Sequence, residues 1–246
     1  MKYEHKEKYK VDFSSVDFNL RLGIINACYI TQNMVTEYFS KYDFDNSVIC
    51  NRNNAVLVVL KHKLHFNRFP HFNEEMEALS YTTKKSSYLF EMETGFTHNN
   101  EELFYCKSEI CPVDISTRVV KKLEDIGYPA DMETAPCRYK ENAKRNTIQF
   151  TEADFSYEEK MRPTEIDYSG HVNNVSYIKF LINTMPVSFY RSVMVTDMEI
   201  SYIHEAFEGE VVRIYKKEIN DSQIAFLIKR GDTELTRALM TYTKLD

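Results

Sequence analysis

Polar and apolar positions change their period several times along the chain, and the changes mark out elements. Ile24, Cys28, Met34, Val35 and Tyr38 recur in steps of three and four, the stripe of an amphipathic helix. Four runs rich in β-branched and aromatic residues follow, over 55–66, 76–83, 88–96 and 103–115, and each predicts a strand. A strand-like run over 150–161 then precedes a second helical stripe over 172–185, carried by Val175, Ile178, Leu181 or Ile182, and Met185. Four more strand-like runs close the chain, over 193–204, 211–218, 223–229 and 235–244. Strands this closely spaced predict antiparallel meanders, because each parallel pair would need a crossover of about a dozen residues.

Helix followed by strands therefore occurs twice, and the two occurrences share a faint repeat. Val16-Asp17-Phe18-Asn19 aligns with Ile166-Asp167-Tyr168-Ser169, 150 positions further on, and residues 68–74 (RFPHFNE) align loosely with 204–210 (HEAFEGE). Between the halves, Val119, Val120, Leu123 and Ile126 predict a short helix stopped at Gly127, with Pro129 just beyond it. The following stretch to Thr147 is polar, carries Pro129 and Pro136, and reads as an interdomain connection. The expected organisation is a first domain over 1–127, a linker over 128–147 and a second domain over 148–246.

Composition narrows the class of protein. Seventeen tyrosines and 16 phenylalanines among 246 residues, with six glycines and six prolines, point to a folded aromatic-rich interior. A formal charge of −6 argues against a nucleic-acid binder, which needs a basic excess to neutralise phosphates. Arg138, Lys140, Lys144 and Arg145 are the densest basic run. The charged first ten residues have no apolar core, and no stretch has the apolar length of a membrane span, so a membrane protein is not expected. Cys28, Cys50, Cys106, Cys111 and Cys137 form no CxxC pair, and an odd number cannot all be bridged. Free thiols in the cytoplasm are the simplest reading.

Candidate chemistry concentrates in residues 162–177, RPTEIDYSGHVNNVSY. A carboxylate, a hydroxyl and an imidazole, Asp167, Ser169 and His171, stand immediately before a predicted helix, whose first-turn N–H groups and dipole favour developing negative charge. Asp and Ser are also ordinary helix caps, so the turn alone does not define a site. His62 and His65 are three apart on a predicted strand and face opposite sides, and neither they nor His71 predicts a metal centre. No GxSxG elbow and no Gly-rich phosphate loop is present.

The residues Asp167, His171, Val172, Asn173, Asn174, Tyr177 and Ile178 resemble the second-half motif of the acyl-acyl carrier protein thioesterases of the hotdog fold. Tyr202-Ile203-His204-Glu205-Ala206 is similar to that family's Tyr-x-x-Glu-Cys block, Arg68-Phe69-Pro70 to its Arg-Tyr-Pro, and residues 114–118 (DISTR) to its Asp-x-x-Thr-Arg. Ser169 stands where plant members have Asn, and Ala206 where they have Cys. The resemblance implies an α+β tandem hotdog, two antiparallel sheets each wrapped around a central helix. It further implies hydrolysis of fatty acyl carrier protein thioesters without metal or cofactor. Asp167, Ser169, His171 and Glu205 would then be catalytic, Asn173, Asn174 and Tyr177 substrate-binding, and the first half acyl-binding. N–H groups near residues 172–174 would polarise the thioester carbonyl. Asp17 and Asn19 hold the equivalent place in the first half, but Arg21 replaces the histidine, so that site is expected to be silent. The implied partner is acyl carrier protein, with room for a homodimer. Two alternatives stay open, an acyl-CoA thioesterase of the same fold and a non-catalytic acyl-binding hotdog protein.

Overall fold

The computed structural model describes residues 4–129 and 131–245. The outer domain limits expected from the sequence, residues 1 and 246, lie outside the described residues. The chain divides into two compact units between Asn142 and Ala143.

In the first unit, strand β1 (His5–Lys10) leads to helix α1 (Ile24–Ser40) and a short helix α2 (Asn46–Asn53). Four long strands follow, β2 (Ala55–Phe66), β3 (Glu75–Lys85), β4 (Phe90–His98) and β5 (Glu101–Asp114). They lie in the order β1-β3-β4-β5-β2, antiparallel throughout. The helical stripe becomes the buried face of α1: Ala27, Cys28, Thr31, Met34, Tyr38 and Phe39 are covered, against β3 and β4. Tyr38 and Phe39 enter an aromatic core with Phe44, Ile49, Phe90 and Ile110. Burying one such large side chain stabilises the fold by about 1.5–3 kcal/mol. That holds α2 in place although its own sequence is mostly polar, with Asp45 capping it by accepting the Ser47 and Val48 N–H groups.

The second unit repeats the plan with β6 (Phe155–Lys160), α3 (Asn174–Ile182), α4 (Val187–Ser192), β7 (Val193–Tyr202), β8 (Val211–Asn220), β9 (Gln223–Arg230) and β10 (Thr233–Lys244). Its strands lie in the order β6-β8-β9-β10-β7, the same path as in the first unit. Lys10 pairs with Glu75 and Lys160 with Val211, so the first strand repeats at an offset of 150 and the next at 136. Helix α3 is shorter than the 172–185 stripe. Pro186 ends that stripe, and residues 187–192 restart as α4. Each unit is one antiparallel sheet with a principal helix packed on it, and the chain is a double hotdog of the α+β class.

The segment after β5 differs from its sequence reading. Only Glu124–Ile126 forms a turn of 3-10 helix, and Val119 and Val120 are exposed, Val120 bridging to Val113 instead. Gly127 stops the turn with φ +71°, the left-handed region as expected. Leu123, Ile126, Tyr128 and Met132 are part of the first unit's core. Further on, Tyr139 stacks on Tyr105 with centroids 3.6 Å apart. It also lies over Gly95, where an added Cβ would stand 2.6 Å from the Tyr139 hydroxyl oxygen. The buried Glu93 accepts the Arg138 and Tyr139 N–H groups at 3.0 and 3.2 Å, and Lys107 donates to the Tyr139 carbonyl at 3.0 Å. Of the residues expected to be a linker, Tyr128 and Met132 thus enter the first unit's core and Arg138 and Tyr139 lie against its sheet, while Lys144, Arg145 and Asn146 bond within the second unit.

Candidate active site

The turn carrying the polar cluster is fixed by its backbone. The Asp167 N–H donates to the His171 carbonyl at 2.8 Å and the Gly170 N–H to the Asp167 carbonyl at 3.0 Å. Gly170 supplies the positive φ, +81°, that closes it. The Val172 N–H donates to the Ala206 carbonyl at 2.9 Å and thereby docks the loop that carries Glu205. Below the turn, the buried Glu165 receives the Arg162 N–H at 2.9 Å, and its carbonyl receives the Asn173 N–H at 2.8 Å.

These constraints place four side chains in series. Ser169 Oγ lies 2.5 Å from Asp167 Oδ1 and 2.8 Å from His171 Nδ1, and His171 Nε2 lies 3.2 Å from Glu205 Oε2. The Ser169 N–H also donates to Asp167 Oδ1 at 2.8 Å. Phe207 meets the imidazole edge-on at 5.0 Å. The His171 side chain is only 11% exposed while Glu205 is 39% exposed, so the line runs from a sheltered ring to solvent. All four residues read from the sequence as catalytic are therefore brought together.

The Ser169 hydroxyl donates to Asp167 Oδ1, so its oxygen is left to accept from His171 Nδ1. A ring N–H can serve Ser169 through Nδ1 or Glu205 through Nε2. The series thus links the Asp167 carboxylate through a hydroxyl to an imidazole held between two acidic residues.

The other candidates have different placements. Asn173 spends its Oδ1 as the cap of α3, accepting the Val175 N–H at 2.8 Å. Asn174 opens the helix, half-buried. Tyr177 is buried against Tyr202, and burial pushes its phenol up. Of the N–H groups at 172–174, those of Val172 and Asn173 are committed to the Ala206 and Glu165 carbonyls, which leaves that of Asn174. Sequence reasoning missed the frame around the line. Arg230 grips Glu210 at 2.7 and 2.9 Å, Glu210 receives the Phe207 N–H at 3.0 Å, and burial acts against the Arg230 effect that leaves its carboxyl lowered. The signal was available, since Glu74 in the aligned RFPHFNE segment receives the His71 N–H and pairs with Arg68 in the same way.

The first unit contains the same turn without the chemistry. The Asp17 N–H donates to the Arg21 carbonyl at 2.7 Å and the Leu22 N–H to the Pro70 carbonyl at 2.8 Å, matching their counterparts at 167 and 172. Leu20 takes the positive φ of Gly170. Arg21 pairs with Asp17 at 3.3 Å and stacks over Phe69, so the carboxylate faces a permanent cation rather than a titratable ring.

Elsewhere, the five cysteines are free, with Cys28, Cys106 and Cys111 buried. His62 bonds Ser108 at 2.9 Å, while His65 stacks with Tyr105. No helix among the described residues is long and apolar enough to cross a membrane.

Two five-stranded units, each an antiparallel sheet with a principal helix, define the hotdog class, and comparison with known proteins sharpens this. The model of the acyl-ACP thioesterase N-terminal domain matches residues 2–127 and that of the C-terminal domain residues 148–244. The chain belongs to the acyl-ACP thioesterase family, and its reaction is the hydrolysis of fatty acyl-ACP thioesters to free fatty acid and holo-ACP. Its fold is similar to the crystal structure of an acyl-ACP thioesterase from Bacteroides thetaiotaomicron VPI-5482, at TM-score 0.86 and 17% identity, covering 98% of each chain. It is similar also to the 12:0-ACP thioesterase from Umbellularia californica, at TM-score 0.86 and 17% identity, covering 99% of this chain and 98% of the other. No curated protein matches the chain in sequence.

Proposed function

We propose that the Asp167–Ser169–His171–Glu205 series is the catalytic machinery of this thioesterase, with Asp167 as general base. The observation that carries this reading is the continuous series from Asp167 through Ser169 and His171 to Glu205, with contacts of 2.5, 2.8 and 3.2 Å. Asp167 removes a proton from water as the water oxygen attacks the thioester carbonyl. Glu205 orients the imidazole, and Ser169 couples His171 to Asp167. The Asn174 N–H, in the first turn of α3, faces the developing oxyanion. Collapse of the tetrahedral species breaks the C–S bond, and the proton held on Asp167 passes to the leaving thiolate.

Asn173 and Tyr177 serve this site by position, one by starting α3 and the other by packing beneath the 202–206 loop. The free cysteines support work in a reducing compartment such as the cytoplasm. For the carrier, the basic run offers less field than its sequence suggests. Arg138 pairs with Glu102, Arg145 with Glu234, Lys121 with Asp114 and Lys122 with Glu124, so Lys140 and Lys144 carry most of it. The test is hydrolysis of a panel of acyl chains, each presented on ACP and on CoA. Turnover that prefers ACP at every active chain length is expected, and equal or better turnover on CoA would overturn the carrier assignment.

A further inference from the structure

Away from the catalytic series, β1 and α1 bring three donor groups to one point. His5 and Glu7 are two apart on β1 and share a face, and Glu37 reaches them from α1. His5 Nε2 lies 3.0 Å from Glu37 Oε2 and 3.8 Å from Glu7 Oε1, and the three donor atoms fall within 4.8 Å of one another. The His5 side chain is 10% exposed, whereas those of Glu7 and Glu37 are about half exposed, so the ring forms a floor and the carboxylates an open rim.

One ring nitrogen makes one hydrogen bond. Nε2 can satisfy Glu37 and then leaves Glu7 at 3.8 Å, with two carboxylates drawn to a single N–H. A cation resolves the competition, because the Nε2 lone pair and one oxygen of each carboxylate then serve the same centre. Donors about 2.0–2.2 Å from a tetrahedral ion stand about 3.4 Å apart, between the two separations observed from Nε2. Closing the remaining distance moves only exposed glutamate side chains.

The internal repeat shows that the fold does not require this trio. Positions 155 and 157, the counterparts of 5 and 7 at the offset of 150, are Phe155 and Tyr157, and Tyr157 reaches α3 by donating to the Phe180 carbonyl at 2.8 Å. The second unit joins its first strand to its helix with the Tyr157 hydroxyl, while Phe155 packs on Tyr215, and the first unit uses an imidazole and two carboxylates. We propose that His5, Glu7 and Glu37 bind a first-row divalent transition cation, zinc being the best fit, with solvent in the open position. The imidazole ligand disfavours calcium and magnesium, which take oxygen ligands. The site shares no residue with the catalytic series, and its role is to clamp the edge strand β1 to α1.

Titration calorimetry of zinc into the chelator-treated, thiol-alkylated full chain tests the site, with magnesium as the control cation. One zinc per chain is expected, weakened by about tenfold or more in Glu7→Gln and in Glu37→Gln and lost in His5→Ala. Zinc should raise the melting temperature of the wild type more than that of Glu37→Gln at the same zinc concentration. The two glutamates are exposed, so these variants stay folded even if His5→Ala does not. Absence of zinc binding by the wild type would overturn the proposal, showing an imidazole held by its carboxylates alone. Wild-type affinity in the Glu7→Gln, Glu37→Gln double variant would overturn it equally.

Discussion

Ser169→Ala isolates the coupling between the acid and the imidazole. Its hydroxyl makes the 2.5 Å contact with Asp167 and the 2.8 Å contact with His171. Truncation removes both, yet the Ser169 N–H still donates to Asp167 Oδ1 at 2.8 Å, so the carboxylate keeps its orientation and loses only its link to the ring. Hydrogen bonds to charged groups contribute about 1.5–3 kcal/mol each. Both contacts are lost together, so the loss in transition-state stabilisation should be about 2–4 kcal/mol. At 1.36 kcal/mol per tenfold this is a fall in kcat/KM of roughly 30- to 1,000-fold. The assay is initial-rate release of fatty acid from one acyl-ACP, with thermal melts to establish that the variant is folded. Ser169→Asn is the matched control: an amide both donates and accepts, so it can bridge the same two groups and should retain activity within about tenfold or exceed the wild type. A folded Ser169→Ala enzyme within about threefold of wild type would refute the coupling of Asp167 to the imidazole through Ser169.

His171→Ala should lower kcat by roughly 10²-fold or more, measured at saturating acyl-ACP, and an unchanged kcat would reduce the ring to a packing group. Glu74 gives a pH prediction in stability. The hydrogen-bonded Arg68 guanidinium holds its folded carboxyl at about 2 against an ordinary 4.5, so its contribution is complete above about 4.5 and disappears as pH falls toward 2. Glu74→Gln should therefore lose on the order of 2–3 kcal/mol at pH 7, with the deficit shrinking below pH 4.5, and a deficit constant from pH 7 to 3 in urea titrations would contradict the linkage. Because Lys140 and Lys144 carry most of the field of the basic run, KM for acyl-ACP should rise modestly with salt while kcat changes little. Lys140→Glu with Lys144→Glu should raise KM at low salt, and an unaltered KM would place carrier docking elsewhere.

Much of this molecule was legible in its sequence because its signals were local. The β2 limits match the expected run at both ends, and the α1 stripe is the buried face, since long buried elements impose their period on many residues. The edge strand β1 was not legible. Its sequence HKEKYK pairs on one side only and its exposed positions are charged, so no apolar alternation marks it. Helix α2 escaped notice for a related reason, being held by Ile49 and the Asp45 cap rather than by a stripe. The residues after Gly127 look like linker because their contacts are distant ones, Arg138 and Tyr139 with Glu93, and Tyr139 with Tyr105. At the site, Asp167, Ser169 and His171 lie in one turn, and that closeness made them visible. The partnership of Glu205 with His171 rests on the Val172 to Ala206 backbone bond, which no sequence spacing reveals. The occupation of the Val172 and Asn173 N–H groups was hidden for the same reason.

If a carboxylate in the second unit hydrolyses the thioester without a cysteine nucleophile, Asp167→Asn should abolish the chemistry. The substitution keeps size and shape and removes the base, while Ser169 and His171 remain. Single-turnover hydrolysis of an acyl-ACP should fall by roughly 10³-fold or more in a variant whose melting temperature and substrate binding are close to wild type. Hydrolysis at near wild-type rate by that folded variant would show that Asp167 is not the base.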